Sequence, residues 1–393
     1  MVERREAWIT GVGLASSLGE GLDAHWDALS SGQLNVNSTA FAPYLCHPMA
    51  PLNFDLQIPK KGDQRQMEQW QRIGTYTAGL ALDSAGIKGN TEILSRTDMI
   101  VAAGGGERDI AVDCAVMTAR AHREAGPGLN ERLMNDLRPT LFLAQLSNLL
   151  AGNISIVHGV TGSSRTFMGE EAAGVDAVRI ALARIEAGQS DIALVGAANN
   201  GERAELLMLY EFNGFALQGE FKPLWERQSG FALGSGGAFL VIESRSHAEA
   251  RGARPLARLS AVASEHARRE GSNSSVTAAL ESLWTRIGAD GKADAIITGA
   301  TGAEPATQQE RAFLAQHKLP VRATATPFGH LVEAQFPLAL ALAALCISRG
   351  KLLPAAYDRS GVETESTAKP NGIAVIGTGH WRGEGMALVE AVD

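Results

Sequence analysis

Short apolar runs bounded by glycine recur along the whole chain, and they constrain its fold more than any other feature. Runs of this kind are typical of strands that are buried on both faces. Between them lie helical patterns, of which residues 171–187, ending at Gly188, are the clearest. Strands that alternate with helices predict an α/β fold with mixed sheets. The predicted strands are residues 8–10, 99–103, 192–196, 238–242, 295–298 and 373–376.

The length of the chain predicts more than one packed unit. Its 393 residues exceed the size at which a single hydrophobic core usually stops growing. With 45% hydrophobic and 20% charged residues, the composition is that of a folded globular protein and excludes a disordered one. The polar stretch 246–254 is the expected connection, which gives an N-terminal half of residues 1–248 and a C-terminal half of residues 249–393.

The charge and the cysteines exclude several classes of partner. A formal net charge of −8 argues against nucleic acid or an anionic membrane as the main partner. The three cysteines, Cys46, Cys114 and Cys346, are far apart and form no CxxC pair, so we expect neither a disulfide nor a metal site. Nothing in the sequence predicts a cofactor.

No targeting or membrane segment is expected. The start, MVERREAWITGVG, runs from charged residues directly into a strand and has no signal-peptide pattern. The longest apolar stretch, residues 336–348, has about 13 residues, which is too short to span a bilayer. It fits a buried helix that ends at Arg349 with Gly350 as its cap. We therefore expect a cytoplasmic protein.

Five stretches of the chain follow the order of a known family. Together they resemble the β-ketoacyl-acyl carrier protein synthases. The resemblance implies a thiolase-like fold, with two pseudo-duplicated halves that each contain a mixed five-stranded sheet and stack in an αβαβα arrangement. The stretches are ITGVGLASSLGEGLDAHWDALSSGQ (9–33), NLLAGNISIVHGVTG (148–162), FKPLWERQSGFALGSGGAFLVIES (221–244), AIITGATGAEPATQQE (295–310) and TPFGHLVEAQF (326–336).

The same resemblance implies that the catalytic residues of the family are changed in this chain. The nucleophilic cysteine, which the family has at the start of a buried helix, falls on Glu171. The first family histidine falls on Gly299 and the family lysine on Ala325, while the second histidine remains as His330. A cysteine at a helix N-terminus forms a thioester as its thiolate, whereas a carboxylate is a weak acyl acceptor. We do not expect this degenerate site to support decarboxylative condensation.

Large side chains occupy positions where the family binds its acyl chain. Phe167 and Met168 shortly precede Glu171, and Phe336 replaces a family glycine. Trp381 lies in residues 380–383, which align with the GFGG gating loop of the family. We expect these four large residues to shape or fill a substrate tunnel.

The function implied by the resemblance is that of a non-condensing subunit similar to a chain length factor. Such a subunit pairs with an active, cysteine-containing synthase through the segment near residues 148–155, and the pair forms a heterodimeric 3-oxoacyl-acyl carrier protein synthase. The acyl carrier protein is a further expected partner, and Arg120, His122 and Arg123 form a basic segment that is a candidate for its docking. The product class stays open among fatty acid, aryl polyene and polyketide.

Two other functions stay open at this point. Some relatives with a changed nucleophile decarboxylate malonyl-carrier without condensing it, and Glu171 is the candidate residue for such a malonyl-acyl carrier protein decarboxylase or for another acyltransferase. Loss of the first histidine counts against this function, because the enolate loses a donor. The third function is a homodimer that binds an acyl chain or a carrier without catalysis. The sequence does not decide whether the chain alone is an enzyme.

Overall fold

The structure is a computed structural model that describes residues 4–121, 127–137, 139–266 and 276–392. Its strands are β1 (Ala7–Ser16), β2 (Gly19–Glu20), β3 (Cys46–His47), β4 (Asp98–Ala102), β5 (Ser164–Phe167), β6 (Ile192–Asn199), β7 (Leu233–Gly234), β8 (Gly236–Ser244), β9 (Ala257–Glu265), β10 (Ala295–Thr298), β11 (Val321–Ala323), β12 (Gly372–Thr378) and β13 (Glu384–Glu390). Each of the six predicted strands is present.

The helices also follow the predicted alternation with strands. The helix predicted at residues 171–187 is α9, which begins and ends one residue earlier. The helices are α1 (Gly21–Ser30), α2 (Lys61–Gln66), α3 (Gln69–Ser84), α4 (Thr91–Arg96), α5 (Ile110–Ala121), α6 (Pro127–Asn135), α7 (Pro139–Ala144), α8 (Leu149–His158), α9 (Glu170–Glu186), α10 (Ala204–Phe212), α11 (Arg245–Ala250), α12 (Val276–Ile287), α13 (Ala306–His317), α14 (Ala325–Phe328) and α15 (Gln335–Arg349).

Ten of the strands fall into two sets of five with the same topology. In spatial order, the first set is β5-β4-β6-β8-β1 and the second is β11-β10-β12-β13-β9. When the strands of each set are numbered along the chain, both orders read 3-2-4-5-1. In both sets the first two pairings are parallel and the last two are antiparallel. The predicted pair of pseudo-duplicated, five-stranded halves is therefore confirmed.

The two sets meet at one edge. β1 pairs antiparallel with β9 at Trp8↔Arg258 and Ile9↔Ala257, so that the ten strands form one continuous hydrogen-bonded path. β2 adds a short hairpin to β1, and β3 pairs with β7 in a separate two-stranded sheet. The first strand of each half thus forms the seam between them.

Helices form three layers around the strands. α9 and α15 lie in the middle layer, where they pack on each other and on strands of both sets. α3 and α8 cover the outer side of the first set, and α12 and α13 cover the outer side of the second. Every residue of β6, β8, β10 and β12 is buried, which explains why these strands are continuous apolar runs. The layer order is the predicted αβαβα arrangement.

α15 is the core helix that the apolar stretch 336–348 predicts. All of its residues up to Ile347 are buried. The helix ends at Arg349, and Gly350 caps it with a φ of 60°, which glycine adopts without steric cost. The 18-residue stretch Val332–Arg349 is apolar and long enough to cross a membrane, but 89% of it is buried inside the fold. Its apolar surface is therefore used in packing between the sheets.

The predicted boundary after residue 248 falls inside α11. This helix connects β8, the last strand of the first set, to β9, the first strand of the second. It begins after Ser244, whose side chain accepts a hydrogen bond from the backbone N–H of His247. The division of the chain into two domains at this residue stays a prediction.

Candidate active site

Glu171 lies in the first turn of α9, deep inside the molecule. Gly169 precedes the helix with a φ of 129°, a conformation open to glycine, and Glu170 follows with a φ of 47°. Glu171 is 2% exposed. The N-terminal end of a helix carries a partial positive charge, which favours a carboxylate at this place. The local fold therefore supports a buried negative charge.

Two histidines from loops of the C-terminal half contact this carboxylate. Glu171 Oε1 accepts hydrogen bonds from the backbone N–H of His380 (3.1 Å) and from His380 Nδ1 (2.8 Å). His330 Nε2 lies 3.0 Å from the same oxygen, but it is not aligned for a hydrogen bond. One carboxylate oxygen thus contacts three nitrogen atoms.

His330 is held in place by the main chain around it. Its N–H donates to the carbonyl oxygen of Ala232 (2.8 Å), and its own carbonyl oxygen accepts from the N–H of Gly234 (2.9 Å). The preceding Gly329 has a φ of 71°, and a Cβ atom there would lie 2.8 Å from the Ala232 carbonyl oxygen. Only glycine fits this close approach, and it lets the loop bring the imidazole to Glu171.

His380 lies in the short loop between β12 and β13. The N–H of Gly379 donates to the carbonyl oxygen of Gly383 (2.8 Å), which closes the loop. The His380 side chain is 4% exposed, and its Nε2 lies 3.8 Å from Glu170 Oε1. Because Nδ1 faces Glu171, both ring nitrogens are next to carboxylates.

Burial and the two imidazoles set the charge of Glu171. Burial by itself raises the pKa of a carboxyl group, because the anion loses its hydration. At Glu171 the His330 and His380 imidazoles outweigh this effect and hold the pKa well below its usual range. Among the described residues, the second oxygen Oε2 has no hydrogen-bond partner, and neither ring nitrogen of His330 has one. A charged carboxylate is therefore buried with one oxygen unused.

Aromatic rings enclose the histidines. The ring of Phe231 lies 4.3 Å from that of His330, and the rings of Phe215 and Tyr210 lie 5.1 Å and 5.3 Å from that of His380. These rings exclude water, and charges interact more strongly in the resulting medium of low polarity. Burial also raises the pKa of the Tyr210 phenol far above its usual range, so that its hydroxyl stays protonated.

A pocket of about 240 Å³ lies beside the start of α9. Its wall includes Met168, Glu170, Arg203 and Glu333. Burial raises the pKa of Glu333 to about 7, and the negative charges of Glu171 and Glu170 add to the effect. With two carboxyl groups and a guanidinium in its wall, this pocket is more polar than a purely aliphatic tunnel.

Gly299 and Ala325, the positions of the missing family histidine and lysine, are both buried. The N–H of Gly299 donates to the carbonyl oxygen of Ile376 (2.9 Å), and a Cβ atom on Gly299 would also lie 2.9 Å from that oxygen. A side chain therefore has no room there unless the main chain shifts. The structure brings Glu171 and His330 together, while Gly299 and Ala325 add no functional group to them.

The four predicted tunnel residues are in different environments. Met168 lines the 240 Å³ pocket and is 68% exposed. Phe167 ends β5 and is half-buried against the main core, in which Phe336 is fully buried. Trp381, next to the loop histidine, is 58% exposed. Their role in shaping a substrate tunnel stays a prediction.

His380 is the site residue that the sequence analysis did not single out. It stands where the family has the first glycine of GFGG, and a titratable side chain in place of a glycine is a signal that could have revealed it. Its contact with Glu171 joins residues that are 209 positions apart, which no local pattern predicts.

The cluster can hold a negative charge and exchange protons, but it lacks a thiol. Cys46 lies in β3, Cys114 in α5 and Cys346 in α15, so none of the three is next to Glu171 in the chain or at the start of α9. Glu171 is 2% exposed, and a carboxylate is a weak acyl acceptor, so attack by either of its oxygens on a thioester is disfavoured. The geometry therefore favours charge stabilisation over formation of an acyl-enzyme.

Proteins with a similar sequence are ketosynthases. The family described as "Beta-ketoacyl synthase, N-terminal domain" matches residues 4–248. The 3-oxoacyl-[acyl-carrier-protein] synthase 2 of Vibrio cholerae serotype O1 is 25% identical over 273 residues, which cover 64% of this chain and 61% of that protein. The putative polyketide beta-ketoacyl synthase 1 of Streptomyces cyaneus is 27% identical over 261 residues, with 63% and 60% covered. The chain thus spans about three fifths of the length of these relatives.

Solved structures of the same fold cover nearly the whole chain. The ishigamide ketosynthase/chain length factor has a TM-score of 0.81 at 18% identity and covers 99% of this chain and 100% of its own. A type II polyketide synthase acyl-carrier protein in complex with its ketosynthase has a TM-score of 0.79 at 17% identity, with the same coverage. These likenesses establish the thiolase-like fold. Because the family match also takes in more than half of the chain, this protein belongs to the β-ketoacyl synthase family.

Proposed function

We propose that this chain is a non-condensing subunit, similar to a chain length factor, which pairs with a cysteine-containing ketosynthase in a heterodimeric 3-oxoacyl-acyl carrier protein synthase. The observation that carries the proposal is the state of Glu171. It takes the place of the nucleophile, it is 2% exposed, and its Oε1 is engaged by two imidazoles and a backbone N–H. The catalytic thiol must therefore come from another chain.

The lost donors support the same proposal. Condensation needs groups that stabilise the enolate and the oxyanion as their charge develops. Gly299 and Ala325 supply neither an imidazole nor an ammonium group, and His330 is already directed at Glu171. A partner with intact residues would carry out these steps in its own site.

An open sheet edge supports pairing with a protein of the same fold. β5 is the last strand of the path, and no strand in the described residues pairs with its outer edge. A groove of about 530 Å³ lies between β5 and α8, and it is lined by small residues such as Ala151, Gly152 and Ser155. An exposed edge offers unpaired N–H and C=O groups to another chain. The β5 edge of a partner synthase is the occupant that we propose.

Several large apolar side chains of β5's neighbours in the chain and of α10 are exposed. Met168 follows β5 directly, and Ile156 lies in α8, with 68% and 70% of their surfaces exposed. In α10, Leu209 lines the same pocket as Met168, and Phe212 is 82% exposed. Exposed apolar side chains mark sites of association where they form one patch. A partner that covers the β5 edge would bury part of this surface.

An acyl carrier protein is the second partner in this proposal. Arg120 is exposed near the end of α5, where a basic side chain is available to an acidic carrier. His122 and Arg123, which complete the predicted basic segment, lie outside the described residues. The product class, among fatty acid, aryl polyene and polyketide, would follow from the partner and its carrier.

The first experiment tests the chain alone. Purified protein is incubated with malonyl-acyl carrier protein, and the carrier is followed by intact mass spectrometry. We expect unchanged malonyl-carrier, because Glu171 replaces the thiol and Gly299 and Ala325 replace the first histidine and the lysine of the family. Conversion to acetyl-carrier that disappears in Glu171→Ala would overturn the proposal and support the decarboxylase.

The second experiment tests the pairing. The chain is co-expressed with a cysteine-containing ketosynthase from the same genome, and the mass of the purified complex is measured by light scattering. Gly152→Trp is expected to abolish the heterodimer by filling the groove. A Cβ atom at this position meets nothing closer than 3.7 Å, so the main chain of α8 need not shift. Leu56→Asp is the matched control, because Leu56 is 63% exposed on a turn outside this surface. A stable homodimer that excludes the synthase would favour the binding protein instead.

A further inference from the structure

We infer that Glu171, His330 and His380 bind a divalent transition-metal ion of the zinc or iron(II) class. Two imidazole nitrogens and one carboxylate oxygen form a ligand set that both ions use in proteins. The site goes beyond the proposed subunit function and does not depend on it. Each ligand comes from a different segment: the start of α9, the loop after α14 and the loop between β12 and β13.

The spacing of the ligand atoms is close to that of a coordination sphere. One ligand atom from each residue lies within 4.8 Å of the others. Glu171 Oε1 is 2.8 Å from His380 Nδ1 and 3.0 Å from His330 Nε2. Ligands that bind zinc at about 2.1 Å in octahedral or tetrahedral geometry are about 3.0 to 3.4 Å apart. Small movements of the side chains would therefore suffice to coordinate an ion.

Polar atoms without hydrogen bonds point to the same ligand. Glu171 Oε2 and both ring nitrogens of His330 are buried and have no hydrogen-bond partner in the described residues. A buried polar atom left in this state costs free energy, so it calls for a bound ion or water. An ion between the three side chains would engage His330 Nε2 and would bring Oε2 within reach of its positive charge.

The charge of the site is also compatible with a bound cation. No lysine or arginine of the described chain forms an ion pair with Glu171, whose partners are the two histidines alone. Imidazoles bind metals in their neutral form, so the positive charge that offsets the carboxylate would then come from the ion itself. The aromatic rings around the histidines would keep competing water away from it.

Glu170 supplies the expected support around the site. A histidine that binds a metal usually gives its other ring N–H to a carboxylate, which fixes the tautomer and the ring orientation. His380 presents Nδ1 to Glu171, while its Nε2 lies 3.8 Å from Glu170 Oε1. Glu170 adopts a φ of 47°, which is rare for a residue with a side chain. Glu170 would therefore act as a positioning residue for His380.

The test measures metal content directly. The protein is purified without a metal-affinity tag, stripped with a chelator, loaded with Zn²⁺, desalted and analysed by inductively coupled plasma mass spectrometry. We expect about one Zn²⁺ per chain in the unmodified protein and a loss of at least tenfold in Glu171→Gln and in His380→Asn, since the loss of a ligand typically weakens binding by this much or more. His247→Asn is the matched control, because this histidine also contacts a buried glutamate, Glu243.

Cobalt gives a second measurement that does not depend on a loss of signal. Co²⁺ bound by the stripped protein is expected to produce visible absorption bands. In His380→Cys the thiolate would replace the imidazole as ligand and add an intense charge-transfer band in the near ultraviolet. Retention of metal in both ligand variants, or absence of Zn²⁺ and Co²⁺ binding by a folded, unmodified chain, would overturn the inference. Neither result would affect the test of heterodimer formation.

Discussion

Two buried glutamates differ in how many hydrogen bonds their carboxylate oxygens accept. Glu243 in β8 uses both oxygens: Oε1 accepts from Thr10 and from Arg251, and Oε2 accepts from His247 Nδ1 (2.7 Å) and from Arg251 Nε (2.8 Å). Glu171 in α9 has all of its contacts on Oε1 and no hydrogen bond on Oε2 among the described residues. One carboxylate is fully satisfied, and the other is half satisfied.

The difference separates a structural cross-link from a candidate binding site. At Glu243 the guanidinium of Arg251 supplies a permanent positive charge and two donors in one planar group. The bond from Thr10 ties β8 to β1, the bonds from Arg251 tie β8 to the residue after α11, and no acceptor is left free. At Glu171 the partners are imidazoles, which change their charge readily, and one oxygen stays available. The second arrangement suits a group that binds a further ligand.

The largest expected effect is on stability, and it compares the two carboxylates directly. Glu243→Gln leaves the partly buried guanidinium of Arg251 without its counter-charge, so we expect a loss of about 3 kcal/mol in the free energy of unfolding. Glu171→Gln in chelator-treated protein is expected to cost about 1 kcal/mol, because it removes no permanent charge partner. Urea denaturation measures both. Glu249→Gln, on the surface, is the control, and equal losses at the two buried sites would contradict the comparison.

The pH dependence of the free energy of unfolding should reveal the lowered pKa of Glu243. Burial opposes ionisation at Glu243, but its hydrogen bonds with Arg251, His247 and Thr10 lower the pKa from 4.5 to about 2. Because the folded-state pKa lies below the unfolded value, its contribution is complete above pH 4.5 and is lost as the pH falls towards 2. The difference in free energy of unfolding between the unmodified protein and Glu243→Gln should therefore decrease by about 3 kcal/mol as the pH falls through this range. A difference that does not change with pH would disprove this account.

A third glutamate tests the same physics with the opposite sign. Burial raises the pKa of Glu363 from 4.5 to about 7, and the negative charge of Asp358 adds to the effect although Arg322 opposes it. The stability that its raised pKa gives is complete below pH 4.5 and is lost as the pH rises through 7. Between pH 5 and pH 8, we expect the free energy of unfolding of Glu363→Gln to rise by about 2 kcal/mol relative to that of the unmodified protein. Denaturation curves at both pH values would show no such gain if the carboxyl group ionised normally.

The smallest effect concerns the strained residue beside the candidate site. Glu170 has a φ of 47°, which glycine adopts freely. Glu170→Gly is therefore expected to raise the free energy of unfolding by about 1 kcal/mol relative to Glu170→Ala, since both variants lack the carboxylate and differ in backbone freedom. Thermal denaturation of the two variants measures the difference. Equal stabilities would mean that the backbone at this position carries no strain.

The fold could be predicted from the sequence because its strands are covered on both faces. Continuous apolar runs identify β6, β8 and β12, and the apolar stretch of α15 identifies the middle layer. The duplication of the halves could not be found in this way. It preserves strand order and direction while the residues differ, so only the resemblance to a family predicted it.

The candidate site could be predicted only in part. Alignment with the family predicts that Glu171 and His330 lie close together. Glu171 replaces the catalytic cysteine of the family, and His330 retains its second histidine. It does not predict the contact with His380. The position of the β12–β13 loop depends on a hydrogen bond between Gly379 and Gly383, which an alignment does not show. The unused oxygen of Glu171 depends on side-chain directions in three separate segments. Such directions follow from tertiary packing, which periodicity and propensity do not describe.

The tight packing at Gly299 bears on the evolutionary history of the chain. A single codon change could return a cysteine to position 171, but a histidine at Gly299 would collide with the main chain at Ile376, where even a Cβ atom lies 2.9 Å from the carbonyl oxygen. Acquiring the full set of family catalytic residues therefore requires several coordinated changes, because a side chain at position 299 needs a shift of the main chain first. Under the proposed subunit function, we expect descendants of this chain to diversify as partners of a synthase.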